Sequence, residues 1–213
     1  MTWNWLGWLL WIGAIAFLCY VFHYIRVKQL MLIAKTGKRY NGNLFIRYVI
    51  LLVVALAWLW GMCYLSFFRT VDYHNSQEVQ VHTKYQALQL GQVKGDYYYV
   101  KVNRSKSGKR PVVSYTYWTT GNKNMTNSRY GSIADGNHYL STASTAYPWN
   151  KKQILKEDQR TNHAFAAVMS IRYNNNILNG MGCRVNHMAE QYTLIRVPAS
   201  NFIYQKYNPS RSF

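Results

Sequence analysis

The residues best suited to covalent chemistry are a cysteine and a histidine four positions apart, Cys183 and His187. If the fold brought His138, His163 and Glu190 close to them, the set would suit a thiol nucleophile with an imidazole base. The same side chains could supply half of a metal site. The chain contains no CxxC or HExxH pattern, and one cysteine among scattered histidines is an ordinary composition. We therefore predict no catalytic residue, no metal and no cofactor, and keep an enzyme with a Cys183/His centre as an alternative.

Two further patterns resemble functional motifs only in part. Ser132, Asp135 and His138 are the residue types of a catalytic triad, but they fall within one short segment, whereas triads draw their members from separate elements. Asp135-Gly136 is more typical of a turn that needs a positive φ angle. The pair Gly180 and Gly182 lacks the third glycine and the following helix of a nucleotide-binding loop. Neither pattern predicts chemistry.

Basic and aromatic residues are concentrated around one predicted hairpin. Basic groups beside aromatic faces can hold polyanions, and tyrosine rings can stack on sugars. We therefore predict a polyanion-binding surface there, with a solvated basic hairpin tip as the alternative. Its members are Lys101, Arg104, Lys106, Lys109, Arg110, Tyr97, Tyr99, Tyr115 and Tyr117.

Two apolar segments near the N-terminus have the length of membrane spans. Trp3–Phe22 and Tyr48–Phe68 carry no formal charge, and each matches the ~20 residues that cross a hydrocarbon core as a helix. The first has no basic n-region and no small-residue cleavage site, so it predicts an anchor and not a signal peptide. In the second, Ala57 and Gly61 form a small-xxx-small pair that would let another helix pack closely. We predict a membrane anchor over residues 1–69.

Charge predicts how this anchor is oriented. The connecting loop, residues 23–47, carries six basic and no acidic residues, and short basic loops stay in the cytoplasm. Both termini would then be extracytoplasmic in a two-pass protein of the plasma membrane. Eighteen of the 25 Lys and Arg residues and all seven acidic residues follow Arg69, so the outer part is basic as well. Long domains translocate largely regardless of such charge.

Residues 70–213 predict an extracytoplasmic α+β domain. Alternating and β-branched stretches indicate strands from Val79, at 96–103 and 112–120, at 164–173 and at 191–197. Residues 150–160 predict a short helix with Asn150 and Gln153 at its start. Segments 121–128 and 174–186 are polar and rich in asparagine and glycine, as loops are. The predicted fold is an antiparallel sheet of about five strands with one short helix.

Several segments together resemble a known family. The Trp-rich first span, the basic loop, and the segments FFRTVDYHNS, SIADGNH, YPWNKKQ and LIRVP resemble an uncharacterised family of small two-span membrane proteins from lactobacilli and related Gram-positive bacteria. The resemblance covers nearly the full length. It implies a setting, the plasma membrane with a domain facing the wall, and it implies no catalytic residues.

Three functions follow from these patterns. The first is a non-catalytic cell-envelope protein whose outer domain contacts an anionic wall polymer or a membrane-protein partner, besides the lipid bilayer. The second is an envelope enzyme with the Cys183/His centre. The third, a nucleic-acid-binding domain, would require the topology to be inverted, so we expect no nucleic acid as a partner.

Overall fold

The computed structural model describes residues 2–37, 40–104, 112–136 and 138–205. They form two compact units. Met1–Val79 and Tyr173–His187 form the first, which we call the helical unit. Gln80–Arg172 and Met188–Phe213 form the second, which we call the sheet unit.

Two long helices dominate the helical unit. Helix α1 is Asn4–Thr36, and α2 is Gly42–Cys63, which continues as a π-helical turn over Tyr64–Phe68. Both are long and apolar enough to cross a membrane, with mean hydropathies of 2.0 and 2.2, and few of their residues are buried within the protein. The helical prediction for both apolar segments is therefore confirmed.

Leu30, Ile33 and Ala34 lie on one side of the segment Val27–Ala34, a pattern that predicts a helical extension, and this extension is confirmed. Helix α1 runs on to Thr36, and α2 begins at Gly42, so more of the region 23–47 is helical than predicted. No glycine or proline lies between Phe22 and Gly37, whose left-handed φ of 65° ends α1 while its N–H donates to the Ile33 carbonyl. Asn41 then caps α2 by accepting from the Asn43 N–H at 3.2 Å. The basic residues of this region are therefore largely on helices.

Residues at seven-residue intervals are buried on both long helices. They are Ala14 and Val21 on α1, and Tyr48, Ala55 and Met62 on α2. Seven-residue spacing is typical of two helices that pack at a shallow left-handed angle. Ala57 is exposed, and a Cβ at Gly61 would meet no atom within 4 Å. The predicted small-residue pair therefore does not lie in this seam, and its use by another helix stays a prediction.

The segment Tyr173–His187, which we call the collar, holds the first turn of α1. Its short helix α4 is Ile177–Met181. The Trp3 N–H donates to Asn175 Oδ1 at 2.9 Å. The Asn4 amide donates to the Val185 carbonyl at 3.2 Å and accepts from the Val185 N–H at 3.0 Å. The Trp3 N–H is one of the donors that the start of an α-helix leaves free, and the Asn4 side chain adds a link in both directions.

The collar also holds the end of α2. Arg184 donates to the carbonyl oxygens of Ser66 and Arg69, both at 2.7 Å. A cation is favourable here because a helix C-terminus presents unpaired carbonyls with partial negative charge. Asn179 is fully buried and donates to the carbonyls of Glu78 and Asn174. The start of α1 and the end of α2 are thus held by one short segment.

An eight-stranded sheet makes up most of the sheet unit in the described ranges, in the order β10-β4-β5-β1-β8-β9-β7 with β6 beside β5. Strands β2 and β3 form a separate pair. Helix α3 is Lys151–Arg160, and short 3-10 turns are Ser144–Ala146 and Ser200–Phe202. The strands are β1 Val79–Gln89, β2 Gly91–Val93, β3 Asp96–Tyr98, β4 Val100–Arg104, β5 Val113–Thr119, β6 Asn122–Asn127, β7 Gly131–Ala134, β8 Phe165–Tyr173, β9 Met188–Arg196 and β10 Ile203–Gln205.

The sheet is mixed, so the prediction of a purely antiparallel sheet is wrong. Strand β10 pairs parallel with β4, and β7 pairs parallel with β9. The segment at 121–128 is predicted to be a loop, but it contains β6, which pairs over its full length with Ser114–Thr119 of β5. Polar strands such as β6 carry no alternation, and tertiary pairing decides their structure.

Strands β8 and β9 bury residues on both of their faces. Phe165, Leu194 and Arg196 lie on one face, where Arg196 bonds to Asp158 of α3 at 2.9 Å. The opposite face contributes to a core inside the curl of the sheet. That core contains Leu88, Val100, Val102, Tyr117, Ala164, Ala166, Ile195 and Val197.

Candidate functional site

The curled sheet opens into a cleft at one end of its inner core. The cavity has a volume of about 660 Å³ and a mixed polar and apolar lining. It is lined by Lys84, Gln86, Tyr117, Asn124, Met125, Thr126, Tyr130, Val168, Met188, Ala189, Glu190, Gln191 and Thr193.

Strand periodicity places the polar groups of the cleft. Lys84 and Gln86 are two apart on β1, and both are exposed on either side of the half-buried Tyr85. Gln191 and Thr193 are two apart on β9, where Gln191 is exposed and Thr193 is buried. Because side chains two apart share a face of a strand, each pair projects into the cleft together. Amides and hydroxyls therefore come from several strands toward one volume.

Burial and local bonds set the electrostatics of the cleft. Burial raises the pKa of the Tyr117 phenol, although a hydrogen bond with Thr193 opposes the shift. This phenol is therefore neutral at physiological pH and can both donate and accept. The Glu190 carboxylate accepts from the Gln191 N–H at 3.3 Å, which occupies one of its oxygens. Lys84 supplies a cation whose head is exposed.

The residues that line the cleft offer hydrogen-bonding groups and one lysine, and they include no obvious reactive centre. Amide and hydroxyl groups pair with the hydroxyls of a polyol or sugar, and a lysine pairs with an anionic group. The cleft also has exposed apolar surface, which the CH groups of a sugar or polyol can cover. This surface comes from Met125, Met188 and Tyr130. This arrangement can hold a polar chain that has hydroxyls and some negative charge.

The predicted polyanion surface is only partly within the described residues. Lys106, Lys109 and Arg110 lie outside them. Arg104 is exposed and Lys101 half-buried on β4, and both strands of the predicted hairpin pair antiparallel from Val100 to Arg104. The pairing of this hairpin is therefore confirmed, whereas binding of a polyanion stays a prediction.

The four predicted tyrosines do not share one surface. Tyr97 is exposed, whereas Tyr117 is 4% exposed and belongs to the inner core. Tyr99 and Tyr115 pack against the same core. The strand breaks between β3 and β4 at Tyr99, so the alternation expected through 96–103 does not continue across it. Of the four, only Tyr97 is exposed.

Cys183 occupies a structural position in the collar. Its thiol lies 3.9 Å from the Asn4 carbonyl oxygen, and burial raises its pKa. A raised pKa leaves less thiolate at neutral pH, which is unfavourable for a nucleophile or a metal ligand. His187 is exposed. Within the described ranges, no group of three or more His, Cys, Asp or Glu residues could hold a metal ion.

The triad residue types also have other structural roles. The Ser132 hydroxyl accepts from Ser141 at 2.6 Å, while Asp135 and His138 are exposed. Gly136 has φ 63°, as the predicted turn requires. A buried ion pair that sequence patterns do not reveal is present instead. Asp158 bonds to Arg196 at 2.9 Å and to His163 at 2.6 Å, across separations of 38 and five residues.

Comparison with known proteins assigns the chain to a family whose description names no activity. A family model whose description reads only ":-like" matches residues 2–204, so the chain belongs to that family. This agrees with the uncharacterised family expected from the sequence, while the source in lactobacilli stays a prediction. Comparison with curated proteins gave no match, and comparison with solved structures gave none either.

Proposed function

We propose that this chain is a two-pass plasma-membrane protein of the cell envelope that binds an anionic wall polymer outside the cytoplasm, without catalysis. The observation that carries the proposal is the cleft of the sheet unit. Its amides, hydroxyls and single lining lysine suit a polyol-phosphate chain, in which hydroxyl-bearing units alternate with phosphodiesters. The residues after Arg69, with eighteen Lys and Arg against seven acidic residues, carry a net charge of +11, which would add long-range attraction to such a polymer.

The anchor part of the proposal rests on the helical unit. Helices α1 and α2 expose apolar side chains along most of their length, which is favourable in a bilayer and unfavourable in water. Because the collar contacts the start of α1 and the end of α2, these two helix ends belong on the same side of a membrane. The basic residues between Arg26 and Arg47 favour the cytoplasm for the opposite end.

Topology is tested by protease shaving of intact cells that carry a C-terminal tag, with lysed cells as the control. Loss of the tag from intact cells supports an extracytoplasmic sheet unit. Survival of the tag until lysis contradicts the proposed topology and makes nucleic acid or the inner leaflet the natural partners of the basic sheet unit.

Ligand binding is tested with the full chain in neutral detergent. The probes are poly(glycerol phosphate) and uncharged polyglycerol of similar length. We expect binding only to the phosphate polymer, with an affinity that falls as salt is raised. Lys84→Gln should weaken binding roughly tenfold, because a hydrogen bond to a charged group contributes about 1.5–3 kcal/mol.

A matched variant separates local from overall charge. Lys156→Gln removes the same charge from an exposed site on α3 outside the cleft and should leave affinity nearly unchanged. If neutralising Lys106, Lys109 and Arg110 abolishes binding while Lys84→Gln does not, the polymer binds the hairpin and not the cleft. Equal binding of both polymers would contradict the proposed ligand class.

A further inference from the structure

Two exposed aliphatic residues follow three asparagines in the collar. Ile177 is 51% exposed and Leu178 is 49% exposed at the start of α4. Single exposed apolar residues are ordinary on a protein surface. Their meaning here depends on which part of the molecule α4 contacts.

Helix α4 packs directly against the first turn of α1. A Cβ at Gly180 would collide with the backbone and Cβ of Trp3, and a Cβ at Gly7 would collide with the Gly180 carbonyl oxygen. The hydrogen bond from the Trp3 N–H to Asn175, two residues before α4, supports the same contact. Because the two backbones are in contact, α4 lies close to the level of Trp3 along the axis of α1.

The first turns of α1 form an aromatic band on an apolar helix. Trp3, Trp5 and Trp8 are all exposed, and Trp3 and Trp5 stack with their ring centroids 6.4 Å apart. Exposed indole rings at the end of a spanning helix are typical of the membrane–water interface. Since α4 is held at this level, its exposed aliphatic pair lies at the level of the interface too.

We propose that α4 is a third membrane contact, in which Ile177 and Leu178 insert into the boundary between lipid headgroups and acyl chains. The partner is the lipid surface itself, and the expected depth is about 5–10 Å below the headgroups, as for interfacial helices. The inference rests on the proposed membrane span of α1. It does not depend on which side of the membrane α4 faces or on the ligand of the cleft.

The experiment uses the full chain in lipid vesicles, with Cys19, Cys63 and Cys183 replaced by serine. Single cysteines at Leu178 or, in a second variant, Ile177 carry an environment-sensitive fluorophore. Quenching is compared between lipids that carry a nitroxide near the headgroup and lipids that carry it deep in the acyl chain. We expect blue-shifted emission and stronger quenching by the shallow nitroxide.

Two references make the outcome decisive. The same fluorophore coupled to a small soluble thiol gives the water reference, with water-like emission and no quenching. Ile12→Cys labels an exposed position inside α1 and should be quenched most by the deep nitroxide. Water-like emission at both Ile177 and Leu178 with a quenched Ile12 probe overturns this inference alone. Water-like emission at Ile12 as well overturns the membrane span on which it rests.

Discussion

The two units use arginine in different ways. In the helical unit, Arg184 donates to main-chain carbonyls of Ser66 and Arg69 at the end of a helix. In the sheet unit, Arg196 pairs with the carboxylate of Asp158 and also donates to the Gly136 carbonyl. The first arrangement balances the charge with partial charges of the backbone, and the second with a formal charge. The cost of breaking each arrangement should therefore differ.

The largest effect is expected from Asp158→Asn. Arg196 is 2% exposed and would keep a full charge without its carboxylate partner, which costs about 3–5 kcal/mol for a buried pair. The measurement is the free energy of unfolding, with hydrogen exchange to locate the loss in α3, β8 and β9. Asp72→Asn is the control, since Asp72 and its partner His74 are both largely exposed and such pairs contribute little to stability. Equal losses for both variants would contradict the structural role given to Asp158.

Arg184→Ala should have the next largest effect. Two charge-assisted bonds to helix-end carbonyls are lost, and we expect destabilisation by about 2 kcal/mol. Thermal unfolding of the full chain in detergent measures it, with exchange rising at Ser66–Arg69. Arg184→Lys keeps the charge but loses the planar guanidinium group, so its stability should lie between those of the wild type and the alanine variant. Arg129→Ala, at an exposed turn of the sheet unit, is the neutral reference.

Paired leucine substitutions on α2 sharpen the comparison within the helical unit. Ala55 is fully buried, so Ala55→Leu should overpack the seam and cost about 1–3 kcal/mol. Ala57→Leu adds the same atoms to an exposed position and should change stability by less than about 0.5 kcal/mol. Thermal unfolding in detergent compares the two. A large loss for Ala57→Leu only would show that the small-residue pair forms a helix contact after all.

The smallest effect concerns reactivity and not stability. In a chain with Cys19→Ser and Cys63→Ser, Cys183 should react with a maleimide more slowly than in the urea-unfolded chain at neutral pH. Burial raises the pKa of this thiol, so the reactive thiolate becomes abundant only at higher pH in the folded state. Faster reaction in the folded chain at neutral pH would revive the enzyme alternative.

Local patterns predicted the elements whose signal lies in their own residues. The apolar lengths of α1 and α2 and the alternation of β8 are confirmed. Asn150 caps α3 by accepting from the Gln153 N–H at 3.2 Å, as its position indicated. Such signals need no partner strand or distant loop, so they can be recognised in the sequence.

Features that depend on distant partners could not be predicted. The polar strand β6 exists because β5 lies beside it, and the parallel pairings come from β7 and β10, which are only three or four residues long. The collar was expected to be a loop, since nothing in its asparagines and glycines reveals α1 and α2 as its partners. The cleft likewise combines residues from five strands and the turn at Tyr130. Its members carry no motif along the chain.

The collar also sets an order of events during synthesis. Asn4 and Val185 are 181 positions apart, so the first turn of α1 waits for its partner until most of the chain has been made. At 5–20 residues per second, the interval between completion of α2 and emergence of Val185 is on the order of ten seconds. If the two helices span a membrane as proposed, both would reside in the translocation machinery or the lipid throughout that interval, with the start of α1 and the end of α2 not yet held by the collar. A nascent chain that stalls before Tyr173 would therefore carry complete helices with open ends, a state that membrane quality control could distinguish from the finished protein.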